Sequence, residues 1–422
     1  MRSDELRDAG SLAGTALGEI AELAQGVHHA VAQRVFAFGG RRVEPVRLLH
    51  DGIAAVAYSS TRFGVRYLPP AASAVAAMVR DPAAESAHDV QRGRFVLGAM
   101  SGFWGDRMAQ SQPALAPLMR MRLHGGRLRR LPANLAADAA DAGSVTGRLV
   151  VFVHGLCETD LCWSFAAEKR WGDRTCTYGS RLRDDDGWTP LYLNFNTGVH
   201  VSENGRELAE MLEELVRCWP APVLEIALVG HSLGGLVARS AAHQGDKAGH
   251  EWIGPLRHIV ALGAPHLGAP LERFTNWGTH HLGRLPETRP FAGWLNRRSV
   301  GIKDLRFGSC LDEDWSDCDP DEFLRDRCRE TPFLPHAAYY FVGATLTAGP
   351  LGAMLGDLLV RMPSASGRGS GRGRSIPFEV GNGHELAGLN HFDLLNHPAV
   401  YEQLRIWLTR AATRRALPAA TA

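Results

Sequence analysis

The sequence is short of lysine, net charge, long apolar runs and paired cysteines, and each shortage closes off a class of protein. Lys169, Lys247 and Lys303 are its only lysines, so the 46 basic residues are nearly all arginine, set against 45 acidic ones. A balance this close creates no global field toward nucleic acid or anionic lipid. No run reaches the roughly 20 apolar residues that span a bilayer. Residues 68–79 are too short and hold Pro69 and Pro70; residues 344–360 hold Pro350 and Asp357. The opening Met1-Arg2-Ser3-Asp4-Glu5 leads into no apolar core and reads as no secretory signal. The cysteines are Cys157, Cys162, Cys176, Cys218, Cys310, Cys318 and Cys328, with no C-x-x-C pair and so no zinc-site spacing. Reduced thiols in a cytoplasmic protein are the expectation.

What is present is globular: 45% of residues are hydrophobic and 22% charged. The 422 residues suit two or three domains, or one large domain with insertions. Residues 1–145 read as helical. Residues 13–35 mix Ala, Leu and Val with polar residues at amphipathic spacing, and similar stretches recur near 50–60, 70–80 and 92–102. Residues 138–144, Asp-Ala-Ala-Asp-Ala-Gly-Ser, read as a polar linker. A helical region packed on a catalytic domain is the plain expectation. An acyl-chain or membrane-surface module is the sharper one.

From residue 146 to 412 the texture changes. Short, bounded apolar runs at 148–153, 191–195, 224–229, 257–262 and 338–342 suit buried strands. A weaker sixth run, 376–380, contains Pro377, which suits an edge or a strand start. Residues 203–219 carry Leu208, Met211, Leu212, Leu215 and Val216 at helical spacing. Helices between most strands imply an α/β class, with a mostly parallel sheet covered by helices on both faces. Residues 271–335 are polar and aromatic without a strand, and read as a lid-like insertion over the site. The Gly- and Arg-rich stretch 367–374 reads as a mobile, solvated loop rather than a nucleic-acid contact. Residues 400–409 read as a closing helix, and 413–422 as a disordered tail.

The chemistry centres on Gly230-His231-Ser232-Leu233-Gly234-Gly235, between an apolar strand and an apolar helix. That is the context a G-x-S-x-G nucleophile elbow requires. Ser232 would stand at the C-terminal end of the sheet, beside a helix N-terminus whose dipole favours an oxyanion. The developing oxyanion needs two donors. The Leu233 N–H is one; the loop after strand 148–153 should give the other, and Leu156 is assigned. His154 reads as a structural residue of that loop. The base should follow the last strand, leaving His384, His391 and His397. His391 is preferred and His384 is the runner-up; His397 precedes Pro398 and suits a helix start. The acid should follow the penultimate strand, and Asp357 is the only carboxylate between Gly343 and Ser375. The acidic run at Asp312, Glu313, Asp314, Asp317, Asp319 and Asp321 is an alternative acid, a calcium site or a solvated loop. The order Ser232, Asp357, His391 is that of α/β-hydrolases.

At these residues the chain resembles bacterial lipases and esterases of the α/β-hydrolase fold, nearest to triacylglycerol-lipase-like and GPI inositol-deacylase-like groups. The resemblance lies in Val153-His154-Gly155-Leu156, the elbow, Gly263-Ala264-Pro265-His266-Leu267-Gly268, and Gly388-Leu389-Asn390-His391. It extends over residues 147–410. It implies the catalytic residues Ser232, Asp357 and His391, an ester substrate such as a lipid or acyl ester, and no metal or organic cofactor. A thioesterase or acyltransferase would use the same residues, and a non-catalytic hydrolase-like binding protein is the reading from another class. The expected partners are a small-molecule ester or lipid and no nucleic acid. Peripheral membrane contact through the N-terminal helices stays open beside a cytoplasmic location.

Overall fold

In the computed structural model, residues 1–409 are described except 82, 144, 348–355, 358 and 370–373, together with the Arg41 side chain. The expectations for the tail 413–422, and for the middle of the Gly- and Arg-rich stretch, lie outside the described residues.

The chain opens with two long helices, α1 (Ser3–Gly39) and α2 (Glu44–Met78), followed by α3 (Gln91–Ser111). α1 and α2 pair as a hairpin. Their close approach depends on glycine: a Cβ at Gly10 would strike the Ser73 side chain, and one at Gly14 would lie 2.6 Å from the Arg66 carbonyl oxygen. A small core of Leu12, Leu97, Met108 and Leu115 ties the foot of α1 to α3.

The chain then enters the sheet. β1 (Arg120–Leu123) and α4 (Pro132–Ala142) precede β2 (Arg148–Val153). The stretch read as a linker is therefore helix as far as Ala142. Alanine favours helix, and Gly143 ends it in the left-handed conformation. Next come α5 (Ala167–Trp171), α6 (Tyr178–Asp186), β3 (Thr189–Asn194), α7 (Val201–Cys218), β4 (Glu225–His231), α8 (Leu233–Ala248) and β5 (Leu256–Leu262). The insertion holds α9 (Pro270–Leu282), α10 (Arg289–Leu295) and α11 (Val300–Asp304), and no strand among the described residues. β6 (Ala338–Thr345), β7 (Gly383–Ala387) and a helix at Pro398–Thr409 complete the fold.

The seven strands lie in the order β1-β3-β2-β4-β5-β6-β7. β1 runs antiparallel to β3, and the other pairs are parallel. The mostly parallel sheet is as expected, with two corrections. β1 was not anticipated. The last strand is Gly383–Ala387, not 376–380, so His384 lies within a strand, opposite Val342 of β6, and not on the loop beyond it.

Alternation along β2 shows how the core is built, since successive strand residues face opposite sides. Leu149, Val151 and Val153 point into the layer with α4, α7 and α8. Val150 and Phe152 point into the other layer, with Trp163, Tyr178, Tyr192 and the closing-helix residues Tyr401 and Trp407. A strand buried on both faces needs apolar residues throughout, and β2 has them after Arg148.

Candidate active site

β4 delivers Ser232. The strand ends at His231, and Ser232 adopts φ +51° and ψ −121° before α8 begins at Leu233. A non-glycine residue at positive φ is held there against a local penalty of about 1–3 kcal/mol. Its neighbours explain the turn. A Cβ at Gly230 would collide with the Gly234 backbone, and one at Gly234 with the Val153 carbonyl. The elbow closes this tightly only with glycine at both positions. The Ser232 N–H donates to the Leu262 carbonyl of β5 at 2.8 Å, pinning the turn to the next strand.

The loop after β2 runs alongside. Gly155 faces Ser232 Cβ so closely that a side chain there would sit 3.1 Å from it. The Gly155 N–H donates to Glu158 Oε2 at 2.7 Å, and the Cys157 N–H to Thr197 Oγ1 at 3.3 Å. Leu156 lies between them. Leu233 is the first residue of α8, where a backbone N–H has no partner within the helix. Leu233 thus directly follows Ser232, and Leu156 directly follows Gly155, which faces it. His154 is buried, lies 4.3 Å from and nearly parallel to Phe195, and accepts the Phe195 N–H at Nε2 (3.3 Å). Burial lowers its pKa, so it sits neutral as a loop residue.

His391 and Asp357 meet at the same end of the sheet. His391 Nδ1 donates to Asp357 Oδ2 at 2.6 Å, and both side chains are buried. The other carboxylate oxygen, Oδ1, accepts the N–H groups of Leu359 (3.0 Å) and Val360 (2.8 Å). The His391 N–H donates to the Asp357 carbonyl at 3.2 Å. The carboxylate and imidazole are thus fixed by backbone as well as by each other. With Nδ1 occupied, Nε2 is the free nitrogen. Gly263, directly after β5, passes the ring with space for no side chain: a Cβ would lie 3.1 Å from His391 Cε1. His397 accepts the Ala399 N–H at Nδ1 (3.2 Å), which is the helix-start role expected of it.

Sequence reasoning missed a second buried pair beneath this site. His231, of the elbow itself, places Nδ1 3.0 Å from Glu158 and Nε2 3.1 Å from the His391 carbonyl. Burial works against both charges. Even so, the His231 charge and hydrogen bond, with the Gly155 N–H, hold the Glu158 carboxyl down to about 2. Burial likewise opposes the His231 imidazolium, but Glu158 outweighs it and His231 is raised. One ion pair therefore ties together the Gly155–Leu156 loop, the serine turn and the histidine loop. An acid four residues past His154 and a histidine beside the serine were the available signals.

The acidic run is engaged elsewhere. Asp314 caps the N–H groups of Cys310 (2.9 Å) and Leu311 (3.0 Å). Asp312 pairs with Arg206 and Asp321 with Lys303. No group of three or more potential metal ligands occurs among the described residues. A cleft of about 330 Å³ lined by Arg206, Glu210, His243, Lys247 and, from the acidic run, Asp312 and Glu313 does not include Ser232, Asp357 or His391.

Residues 144–316 match the family model described as PGAP1-like alpha/beta domain. The fold is that of the α/β-hydrolases. The matched segment contains β2, β4, Ser232 and the insertion helices, and ends before Asp357 and His391. Among solved structures, the mature form of the Bacillus licheniformis lipase BlEst2 is similar at 18% identity and TM-score 0.39, over 62% of this chain and 92% of that one. EstA from Clostridium botulinum is similar at 14% identity and TM-score 0.37, over 65% and 89%. The Pyrobaculum calidifontis esterase is similar at 13% identity and TM-score 0.34, over 79% and 95%. No curated protein matches the chain.

Proposed function

We propose that this protein is a serine hydrolase that cleaves carboxylic esters through an acyl-enzyme on Ser232. The observation that carries the reading is the Asp357–His391 pair at 2.6 Å, hydrogen-bonded by backbone to the strained Ser232 turn through His231. His391 Nε2 takes the Ser232 proton as Oγ bonds to the ester carbonyl carbon. The Leu156 and Leu233 N–H groups hold the tetrahedral oxyanion. Asp357 keeps Nδ1 protonated and stabilises the imidazolium. Collapse breaks the bond to the leaving alcohol, which departs with the proton from His391. Water, deprotonated by His391, then releases the acid. These steps call on no metal or organic cofactor.

The insertion favours medium or long acyl esters, including lipid esters, since α9 and α10 expose Phe274, Trp277, Phe291 and Trp294. A cytoplasmic location with peripheral membrane contact through the N-terminal helices belongs to the same reading. No described helix is long and apolar enough to cross a membrane. We divide the chain into a helical region, 1–145, and a catalytic domain, 146–412, with 271–335 as its cap. One amendment follows from β1, which is hydrogen-bonded into the sheet and so joins the catalytic unit.

The test is hydrolysis of p-nitrophenyl esters of increasing chain length by the native protein and by Ser232→Ala. Loss of at least about 1,000-fold in kcat is expected in the variant, with a fluorophosphonate probe labelling only the native chain. Undiminished turnover by Ser232→Ala, or failure of the probe on an active native protein, would remove Ser232 from the mechanism.

A further inference from the structure

We propose that the outer face of the α1–α2 hairpin is a docking surface for a lipid bilayer carrying anionic headgroups. α2 has 35 residues, yet its only buried ones are Ser73 and Ala77. Leu49, Ile53, Val56 and Phe63 recur every three, four or seven residues, so they line one stripe, and all are exposed. The sequence adds no charge to it over 52–61 or 67–79. Tyr67 and Met78, also exposed, carry the stripe to the end of α2, so that at 1.5 Å per residue and about 10 Å across it covers roughly 400 Å². A monomer rarely leaves that much contiguous apolar surface bare without a use for it.

Two observations select a bilayer over a second copy of the chain. The stripe falls short of the about 800 Å² per partner that a stable dimer buries. The charge at the hairpin's turn also suits anionic headgroups. The sequence holds no acid between Glu22 and Glu44, while Arg41 and Arg42 fall there beside Arg34 and Arg47, which are already paired with Glu287 and Glu44. At the same end Phe38 is 87% exposed. Basic residues beside exposed apolar ones are the composition of an interfacial anchor.

The surface also continues onto the insertion. α1 is held against the insertion by Arg34–Glu287 at 2.6 Å and Arg297–Glu22 at 3.2 Å. α10 follows with exposed Phe291 and Trp294, and tryptophan is a residue of the membrane interface. Docking the hairpin would bring the cap to the lipid. That purpose rests on the ester-hydrolase reading, whereas the docking does not.

The experiment is flotation of the full-length protein with vesicles of phosphatidylcholine alone, or with roughly a third phosphatidylglycerol. The triple variant Leu49→Glu, Ile53→Glu, Val56→Glu changes only exposed side chains, so its melting temperature and its turnover of a short soluble ester should match the native protein. The native chain should float with the anionic vesicles, and the triple variant should partition at least about tenfold less. Ser232→Ala should float like the native chain, which separates failure of docking from failure of the hydrolase reading. A native protein that floats with neither vesicle, or a triple variant that floats equally well, would overturn the proposal. So would sedimentation showing a native dimer that the triple variant converts to monomer, because a second copy would then be the occupant.

Discussion

α2 and β2 are both rich in apolar residues, and the structure treats them in opposite ways. After Arg148, every residue of β2 is fully buried, split between two core layers. Over 35 residues, α2 buries two small side chains. Hydrophobicity alone therefore does not say where a core is. What differs is partners: β2 lies between β3 and β4 with helices on both faces, whereas α2 is packed along one side by α1. Apolar residues in β2 stabilise the fold, and those on the outer face of α2 do not.

The sharpest way to break that comparison is to truncate one phenylalanine in each region. Phe152 lies in β2, fully buried, with its ring 4.9 Å from Trp163 and 5.2 Å from Tyr192. Phe152→Ala should cost about 3–5 kcal/mol, since it removes a large buried surface and leaves a cavity. Phe63, on α2, is exposed, with its ring 5.0 Å from that of Tyr67. Phe63→Ala should stay within about 0.5 kcal/mol of the native protein. Urea unfolding of both variants measures the difference. Equal losses would mean that the outer face of α2 is covered in solution.

A second test concerns charge, because the sheet region buries an ion pair under the site. Glu158→Gln should cost about 3 kcal/mol, as it leaves His231 buried without its counter-charge. The sign follows from linkage. The Glu158 carboxyl lies near 2 in the fold against an ordinary 4.5, so its contribution is complete above 4.5 and fades as pH falls toward 2. His231 is raised above its ordinary 6.5, so its contribution is complete below 6.5 and fades as pH rises through the raised value. Native and variant melting temperatures should differ most between these limits, at about pH 5.5, and less at about pH 9. A gap independent of pH would show that the pair is not charged in the fold.

Much of the sheet region could be read from the sequence. Val150, Phe152, Ile226, Leu228, Ile259 and Val260 announce buried strands because a parallel strand covered on both faces must be apolar throughout. Ser232 was legible because steric demand writes glycine at 230 and 234. The chain order serine, acid, histidine led to Asp357 and His391, which lie 34 residues apart and yet within hydrogen-bond distance. Other features had no such signal. β1 is Arg-Met-Arg-Leu, an edge strand held by backbone pairing to β3. β7 has the same character, with mixed residues that alternate between half-buried and exposed, so the more apolar 376–380 carries the stronger strand signal. The Glu158–His231 pair spans 73 residues, and its local signs, an acid four residues past His154 and a histidine beside Ser232, do not name each other as partners. The exposure of α2 was hidden for a related reason, since amphipathic spacing is the same whether or not a partner exists.

The smallest expected effect bears on how the hairpin itself is held. Gly52 and Gly14 both lie inside long helices, where glycine is about 1 kcal/mol worse than alanine. Their surroundings differ. A Cβ at Gly52 meets nothing within 4 Å, while one at Gly14 comes 2.6 Å from the Arg66 carbonyl oxygen and 3.1 Å from Pro70 Cδ. Both neighbours belong to the α2 backbone or a proline ring, neither of which can swing aside. Gly52→Ala should therefore stabilise the protein by about 0.5–1 kcal/mol, through the entropy it removes from the unfolded chain. Gly14→Ala gains the same helix propensity but must push α2 away from α1, so it should be neutral or destabilising. Hydrogen exchange across 44–78 is the more sensitive readout, because the hairpin has little core and can open without unfolding the sheet. Faster exchange in Gly14→Ala, with the amides of β2 and β4 unchanged, would show that α2 is held by its contact with α1. Equal exchange in both variants would mean that something besides α1 restrains α2, and the outer face of the hairpin would then be the place to look for it.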